Sequence, residues 1–387
     1  MKSNQHMIAS LPLKNKSTLM KIAQVAPLYE SVPPKFYGGT ERIVHYLTEE
    51  LVKKGHEVTL FASGDSVTNA KLIANVNDSL RLCQACVDPL AHHIVQMQEV
   101  IERANEFDII HFHTDYLHFP FSQKLNTPCV TTLHGRLDIP DLQSVYNKFS
   151  SQKVISISDS QRAPLPQADW IGTVYHGLPV NLHYAGNGEG DYLAFLGRIS
   201  PEKGIDRAIE IAIASNSKLK IAAKVDKVDE YYFEHQIKTM LDHPLIEFVG
   251  EINETQKTDF LGKAKALLFP IDWAEPFGLV MIESMACGTP VIAFGNGSVP
   301  EVIDEAESGF IVHSIEEALK SVLKVPLISR EKVRSTFEKR FTASIMAKSY
   351  LDLYSLIIQN NTYERNGRLK PLTISPSLNK NGMKNVV

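Results

Sequence analysis

No apolar run in these 387 residues approaches the ~18 that a membrane-spanning helix needs. The first eighteen residues, MKSNQHMIASLPLKNKST, are polar and broken by Pro12. They contain no apolar stretch of the ~7–15 residues that a secretory signal carries. A cytoplasmic chain is the expectation, with peripheral attachment to the inner face of a membrane left open. Cysteine is scarce. Cys83 and Cys86 form a C-x-x-C, but Cys129 and Cys287 are single, and no second pair or histidine pair follows at zinc spacing. That disfavours a redox or metal centre and suits a reduced cytosolic protein. Basic charge is not in excess either: 40 Lys and Arg face 44 Asp and Glu, for a formal net charge of −4. A nucleic-acid binder would need a concentrated basic face, whereas this balance still allows a local basic pocket for a small anion. Neither half holds a G-x-G-x-x-G after a first strand, which a dinucleotide-dependent dehydrogenase would want.

What is present is short apolar runs alternating with amphipathic segments. The length exceeds what one core usually supports, so two domains are expected. Strand candidates in the first half are KIAQVAP (21–27), EVTLFAS (57–63), DIIHFHT (108–114), PCVTTLHG (128–135), KVISIS (153–158) and WIGTVYHG (170–177). Several are apolar on both faces, as strands of a covered parallel sheet must be. A helix is predicted from about Thr40, with Ile43, Val44, Leu47 and Leu51 on one face and Gly55 at its end. Residues 70–106 carry helical periodicity and are the least readable stretch of this half.

After the Gly- and Asn-rich segment near 180–190 the pattern restarts. YLAFLG (192–197), KLKIAAKV (218–225), IEFVG (246–250), ALLFP (266–270), PVIAFG (290–295) and FIV (310–312) are the strands, with a helix at 205–215 and another through Tyr232 and Met240. The expected organisation is a disordered tail over 1–18, a first α/β lobe over 19–185 and a second over 186–341. A helix over 342–358 packs back on the first lobe, and a disordered tail covers 361–387. Alternation of this kind specifies two α/β lobes.

Ligands of open α/β sheets bind beyond the carboxyl ends of the strands, so the polar residues of those loops are the candidates. In Gly197-Arg198-Ile199-Ser200-Pro201-Glu202-Lys203-Gly204, Arg198 offers a planar fork and Lys203 a compact charge to phosphate oxygens. In Glu275-Pro276-Phe277-Gly278-Leu279-Val280-Met281-Ile282-Glu283, two carboxylates stand eight positions apart, about two helical turns if the helix starts at 277. Either can accept from adjacent hydroxyls of a sugar. Gly278 would let a ligand approach the backbone. Gly38-Gly39-Thr40-Glu41 fits a tight turn or a phosphate-approaching loop. His111, His113, His134 and His176 all stand at strand ends. Metal ligation would need two or three of them to converge, and their spacing does not demand it.

Taken together, GGTERIVHYLTEELVKKGHEVTLFASG, TLHG, VYHG, FLGRISPEKG and EPFGLVMIESMACGTPVIAFGNGSVPEVI resemble the retaining glycosyltransferases of family 4, over roughly residues 20–358. The resemblance implies the GT-B fold, an α/β architecture of two Rossmann-like lobes facing across a cleft. It implies a nucleotide-sugar donor whose diphosphate is held by Arg198 and Lys203 and approached by Gly38 and Gly39. His134 then reaches the transferred sugar, Glu275 its hydroxyls, and Glu283 the ribose. Backbone amides of Phe277, Gly278, Leu279 and Val280 complete the donor site. VYHG departs from the commoner N-G form, and His176 receives no role.

The chain has no D-x-D, a carboxylate pair that many metal-dependent nucleotide-sugar enzymes use. No metal and no cofactor are therefore expected, and leaving-group charge falls to Arg198, Lys203 and helix N-termini. The predicted reaction moves a hexose, from a UDP-hexose by preference, to a glycan, lipid-linked or small-molecule hydroxyl acceptor. An epimerase or hydrolase of the same fold, or a non-catalytic nucleotide-sugar binder, is the alternative.

Overall fold

The structure, a computed structural model, describes residues 19–35 and 38–365. Two sheets, each wholly parallel, account for its architecture. The first contains β1 (Lys21–Val25), β2 (Glu57–Phe61), β3 (Lys71–Ile73), β4 (Ile109–Phe112), β5 (Cys129–Thr132), β6 (Lys153–Ser156) and β7 (Asp169–Thr173). Their order across the sheet is β3-β2-β1-β4-β5-β6-β7. The second contains β8 (Tyr192–Arg198), β9 (Lys218–Lys224), β10 (Ile246–Gly250), β11 (Ala266–Phe269), β12 (Val291–Phe294) and β13 (Gly309–Val312), ordered β10-β9-β8-β11-β12-β13. Every residue of β4, β11 and β12 is buried, because helices cover both faces. Edge strands are less covered: β10 exposes Glu247, Phe248 and Val249, and the residues of β7 are only half-buried.

The helix α1 (Gly39–Lys53) buries Ile43, Val44, Leu47 and Leu51, the face read from the sequence. The unreadable stretch resolves into β3, which sequence reading missed, and α2 (Pro89–Glu102). Three residues are too few to show a period of two, and Lys71 is exposed. Proline occupies the first turn of α2, where no amide partner is lost, and the Asp88 carboxylate accepts from the Leu90 and Ala91 amides.

In the second lobe α3 (Ile205–Ala214) follows β8, and α4 (Glu254–Lys263) opens with a reciprocal Asn253–Gln256 capping box. The helix expected through Tyr232 and Met240 is instead a short α turn, Glu230–Tyr232, a π segment, Phe233–Ile237, and a 3-10 segment, Lys238–Asp242. Pro244 accounts for its end, since the residue before a proline is pushed out of the helical region and His243 is extended. The helix α5 (Leu279–Ala286) starts two residues later than expected. Gly278 turns the chain first, at φ +74°, so Glu275 lies before the helix that carries Glu283.

Two helices close the chain, α6 (Arg330–Arg340) and α7 (Ala343–Arg365). Residues 361–365, placed in a disordered tail by composition, are the last turns of α7. No Pro or Gly occurs between Ala343 and Gly367 to stop the helix. The remainder of that tail and residues 1–18 lie outside the described residues. α7 packs on the first sheet and on α1, and Tyr350 and Tyr354 are fully buried there. The two passages between sheets are tied together: Leu178 N–H donates to Phe341 O at 2.9 Å, and Ala343 N–H to Leu178 O at 2.8 Å. Among the described residues, no helix is long and apolar enough to cross a membrane.

Candidate active site

Each sheet reverses its strand order once, between β1 and β4 in the first and between β8 and β11 in the second. Loops leaving such points diverge and leave a crevice. Here the two crevices face each other and form one cleft of about 1460 Å³. Gly38 and Gly39 after β1 and His113 after β4 line one wall; Arg198 at the end of β8, Lys203 after it and Glu275 after β11 line the other.

On the second-lobe wall, Arg198 is the last residue of β8. Its guanidinium contacts the Glu202 carboxylate, with Asp229 at 3.2 Å and Asp226 at 3.8 Å. Lys203 ends the turn Pro201–Lys203 and pairs with Glu275. The same Glu275 oxygen accepts from Trp273 Nε1 at 2.9 Å. The Trp273 ring has two cations within reach, with Lys203 Nζ 5.0 Å and Arg136 Cζ 5.9 Å from its centroid. Arg198, Lys203 and Glu275 thus face one cavity, each beside an opposite charge. Phe277 is buried and its carbonyl accepts from Ser298 Oγ at 2.9 Å, which fixes the turn from which Gly278, Leu279 and Val280 line the cleft. A side chain at 278 would be strained by the positive φ, and its Cβ would stand 3.1 Å from Phe269 Cζ.

Glu283 is buried, with Lys257 Nζ at 2.7 Å and Arg42 at 3.3 Å. Arg42 belongs to α1 and also reaches Glu254 at 3.0 Å, so it ties the first lobe to the second. Burial opposes ionisation of Glu254, but the His183 ring at 3.3 Å, Lys257 and Arg42 prevail and hold its carboxyl at about 2. Ligand atoms of His183, Glu254 and Glu283 lie within 4.8 Å of one another, close enough for an ion. Both carboxylates of that trio already carry cationic partners, so their charge is met by side chains.

On the first-lobe wall, Gly38 has an extended backbone. It is small because a Cβ there would stand 2.8 Å from Pro34 Cβ. A Cβ on Gly39 would lie 3.7 Å from Leu279 Cδ1, so the two Gly-containing loops meet across the cleft. Glu41 is 6% exposed, and burial lifts its carboxyl to about 7. The four histidines read at strand ends, of which His111 lies within β4, converge although their spacing did not bring them together. His113 Nδ1 and His134 Nε2 are 2.8 Å apart, His111 and His113 rings 4.0 Å, and His134 stacks on His176 at 5.3 Å. His176 meets Phe277 edge-on at 4.9 Å, a contact between lobes. Burial keeps all four neutral, His134 at about 3.

The profile described as Glycosyltransferase Family 4 matches residues 37–178, and that of Glycosyl transferases group 1 matches 184–340. The chain belongs to these glycosyltransferases. It is similar to an uncharacterized glycosyltransferase of Methanocaldococcus jannaschii, 26% identical over 76% of this chain and 85% of that protein. In fold it is similar to sucrose-phosphate synthase from Thermosynechococcus elongatus, with a TM-score of 0.69, 19% identity, and coverage of 88% and 99% of the two chains. Anabaena HepE, solved in complex with UDP and glucose, is similar with a TM-score of 0.67, 16% identity, and coverage of 87% and 100%. The two sheets facing across a cleft are the GT-B arrangement that the sequence resemblance implied.

In this glycosyltransferase every residue to which the resemblance gave a role lies on the one cleft: Gly38, Gly39, His134, Arg198, Lys203, Glu275, Phe277, Gly278, Leu279, Val280 and Glu283; of the other strand-end candidates His113 and His176 line it and the fully buried His111 does not. Sequence reading passed over Arg42, Trp273 and Lys257, which contact Glu283 or Glu275. Trp273 had a signal, being one of only two tryptophans and two residues from Glu275. Lys257 had none, since it reads as an ordinary surface position of an amphipathic helix.

Proposed function

We propose that this glycosyltransferase moves a hexosyl group from a UDP-hexose to a hydroxyl acceptor, with retention at the anomeric carbon and without a divalent metal. The reading rests on one observation. Arg198, Lys203 and the start of α5 share a wall of the cleft with Glu275 and Glu283, opposite Gly38–Gly39. Two cations and unpaired helix amides suit a diphosphate; two carboxylates suit the hydroxyls on either side of it. As the bond from the anomeric carbon to the phosphate oxygen breaks, negative charge collects on the diphosphate, and Arg198 and Lys203 turn from their carboxylate partners to take it up. The acceptor oxygen bonds to the carbon on the same face, and its proton passes to the departing phosphate oxygen. Orientation between the two walls supplies the remainder of the rate. A glycan, a lipid-linked glycan or a small alcohol each offers the hydroxyl required. Peripheral attachment to the inner face of a membrane accords with the lipid-linked case.

The test is sugar transfer from UDP-glucose and other nucleotide sugars to an acceptor panel, with product configuration read by NMR. Retained configuration and undiminished turnover in EDTA are expected. Inversion, or activity that returns only with a divalent ion, overturns the reading. Free hexose or an epimer formed without any acceptor establishes the hydrolase or epimerase alternative. Lys203→Ala and Arg198→Ala should each lower kcat by about 10²-fold or more with the circular dichroism spectrum unchanged.

A further inference from the structure

Buried hydrogen bonds run from the C-terminal helix to His134 through groups that the proposed transfer leaves unused. Gln24 Nε2 donates to Tyr354 OH at 3.0 Å, and Gln24 Oε1 lies 2.8 Å from His113 Nε2. His113 Nδ1 lies 2.8 Å from His134 Nε2. A branch leaves Tyr354 OH for His111 Nδ1 at 2.6 Å, and His111 Nε2 continues to Thr132 Oγ1 at 2.8 Å and on to Tyr350 OH at 3.0 Å. Gln24, His111, Thr132, Tyr350 and Tyr354 are 0% exposed and His113 is 2% exposed. In such surroundings donors are matched to acceptors, so the protons can be placed.

Gln24 Oε1 only accepts, so His113 Nε2 carries a proton. A neutral imidazole has a single N–H, and burial keeps His113 neutral. His113 Nδ1 is therefore an acceptor, and the proton between the two rings belongs to His134 Nε2. That leaves His134 Nδ1 a lone pair. This atom is buried with no hydrogen-bond partner among the described residues, and an orphaned acceptor is tolerated better than an orphaned N–H. The same residue lines the cleft.

We propose that Gln24, His113 and Tyr354 are positioning residues that lock His134 as its Nε2–H tautomer and reserve Nδ1 to accept from a hydroxyl of the transferred sugar. The inference rests on the reading of the cleft as a sugar-transfer site. A neutral acceptor recognises the hydroxyl without placing a positive charge beside a glycosyl centre that is itself becoming positive. It also gives α7, which comes from the far end of the chain, a part in the donor site.

Nitrogen-15 NMR of the full chain labelled at histidine reads the tautomer directly, with His134 assigned by its loss in His134→Gln. The expected signature is a protonated Nε2 and a bare Nδ1. A protonated Nδ1, or averaging between tautomers, overturns the proposal without reference to activity. Tyr354→Phe removes the acceptor of Gln24 Nε2 and frees the amide to turn over. His134 should then show both tautomers, and kcat should fall about tenfold while the donor KM changes less. An unchanged His134 spectrum in Tyr354→Phe overturns the relay even if activity falls. In wild-type protein that turns over UDP-glucose, the Nδ1 resonance should move when the donor is added. A stationary resonance there overturns the assignment of Nδ1 as the sugar's acceptor and leaves the transferase reading standing.

Discussion

Glu41 shows how one residue's environment sets a testable property. It sits in the cleft wall, 6% exposed, and burial lifts its carboxyl to about 7; Glu30 adds to the shift and Arg81 opposes it. A carboxyl raised in this way contributes stability that is fully present below its ordinary value of 4.5 and is lost as pH climbs through about 7. Glu41→Gln cannot ionise. The unfolding free energy of the variant should therefore gain on wild type between pH 5 and 8, by about 1.4 kcal/mol per pH unit at most. Urea titrations at a series of pH values check this; a difference that does not vary with pH shows the group is not buried as described. Lys203 and Glu275 make a complementary case, for neither charge in the cleft is left alone: each is the other's counter-ion until a ligand competes.

Between elements, the decisive tie is α1 to the second lobe. Arg42 touches Glu254 and Glu283 and enters that cluster from α1, while Lys257 comes from α4. Removing Arg42 leaves the buried Glu283 and the half-buried Glu254 with Lys257 and His183 as partners, which weakens the contact between lobes. Arg42→Ala should give a larger radius of gyration in small-angle scattering, and the Glu254 carboxyl should titrate at higher pH. The depressed value of about 2 means that Glu254 contributes stability above its ordinary 4.5 that is lost as pH falls toward 2. The variant should accordingly lose less stability than wild type over that acid range. An unaltered scattering curve and acid profile would show that the lobes are held elsewhere, as by Glu301, whose carboxylate accepts from the Asp159 and Ser160 amides at 2.7 Å each.

For the whole molecule, a donor that touches both walls binds only the folded chain and stabilises it by mass action. A nucleotide sugar at 100 times its Kd should add about 2.7 kcal/mol to the unfolding free energy. Thermal unfolding against a panel of UDP-, GDP- and ADP-sugars should rank UDP-hexoses first. A different nucleotide at the head of that ranking would correct the donor and leave the transferase assignment intact. The same panel applied to Lys203→Ala should show the ranking flattened, since the diphosphate contact is common to all donors.

The amino-acid sequence by itself determined the two α/β lobes, the parallel order implied by strands apolar on both faces, and the motif residues that line the cleft. Those depend on local chemistry: runs such as IIHF and ALLF can satisfy their apolar faces only inside a covered sheet. Boundaries set by a single backbone conformation were read less well. Gly278 delays α5, Pro244 stops the segment before β10, and the absence of a breaker carries α7 to Arg365. Only the tertiary structure decided which distant residues meet. Gln24 joins Tyr354 across 330 positions and Arg42 joins Glu283 across 241, and no periodicity encodes a partner at that separation. His111, His113, His134 and His176 form one cluster for the same reason: parallel strands β4, β5 and β7 end on the same side of the sheet, so their C-terminal residues become neighbours only when it assembles.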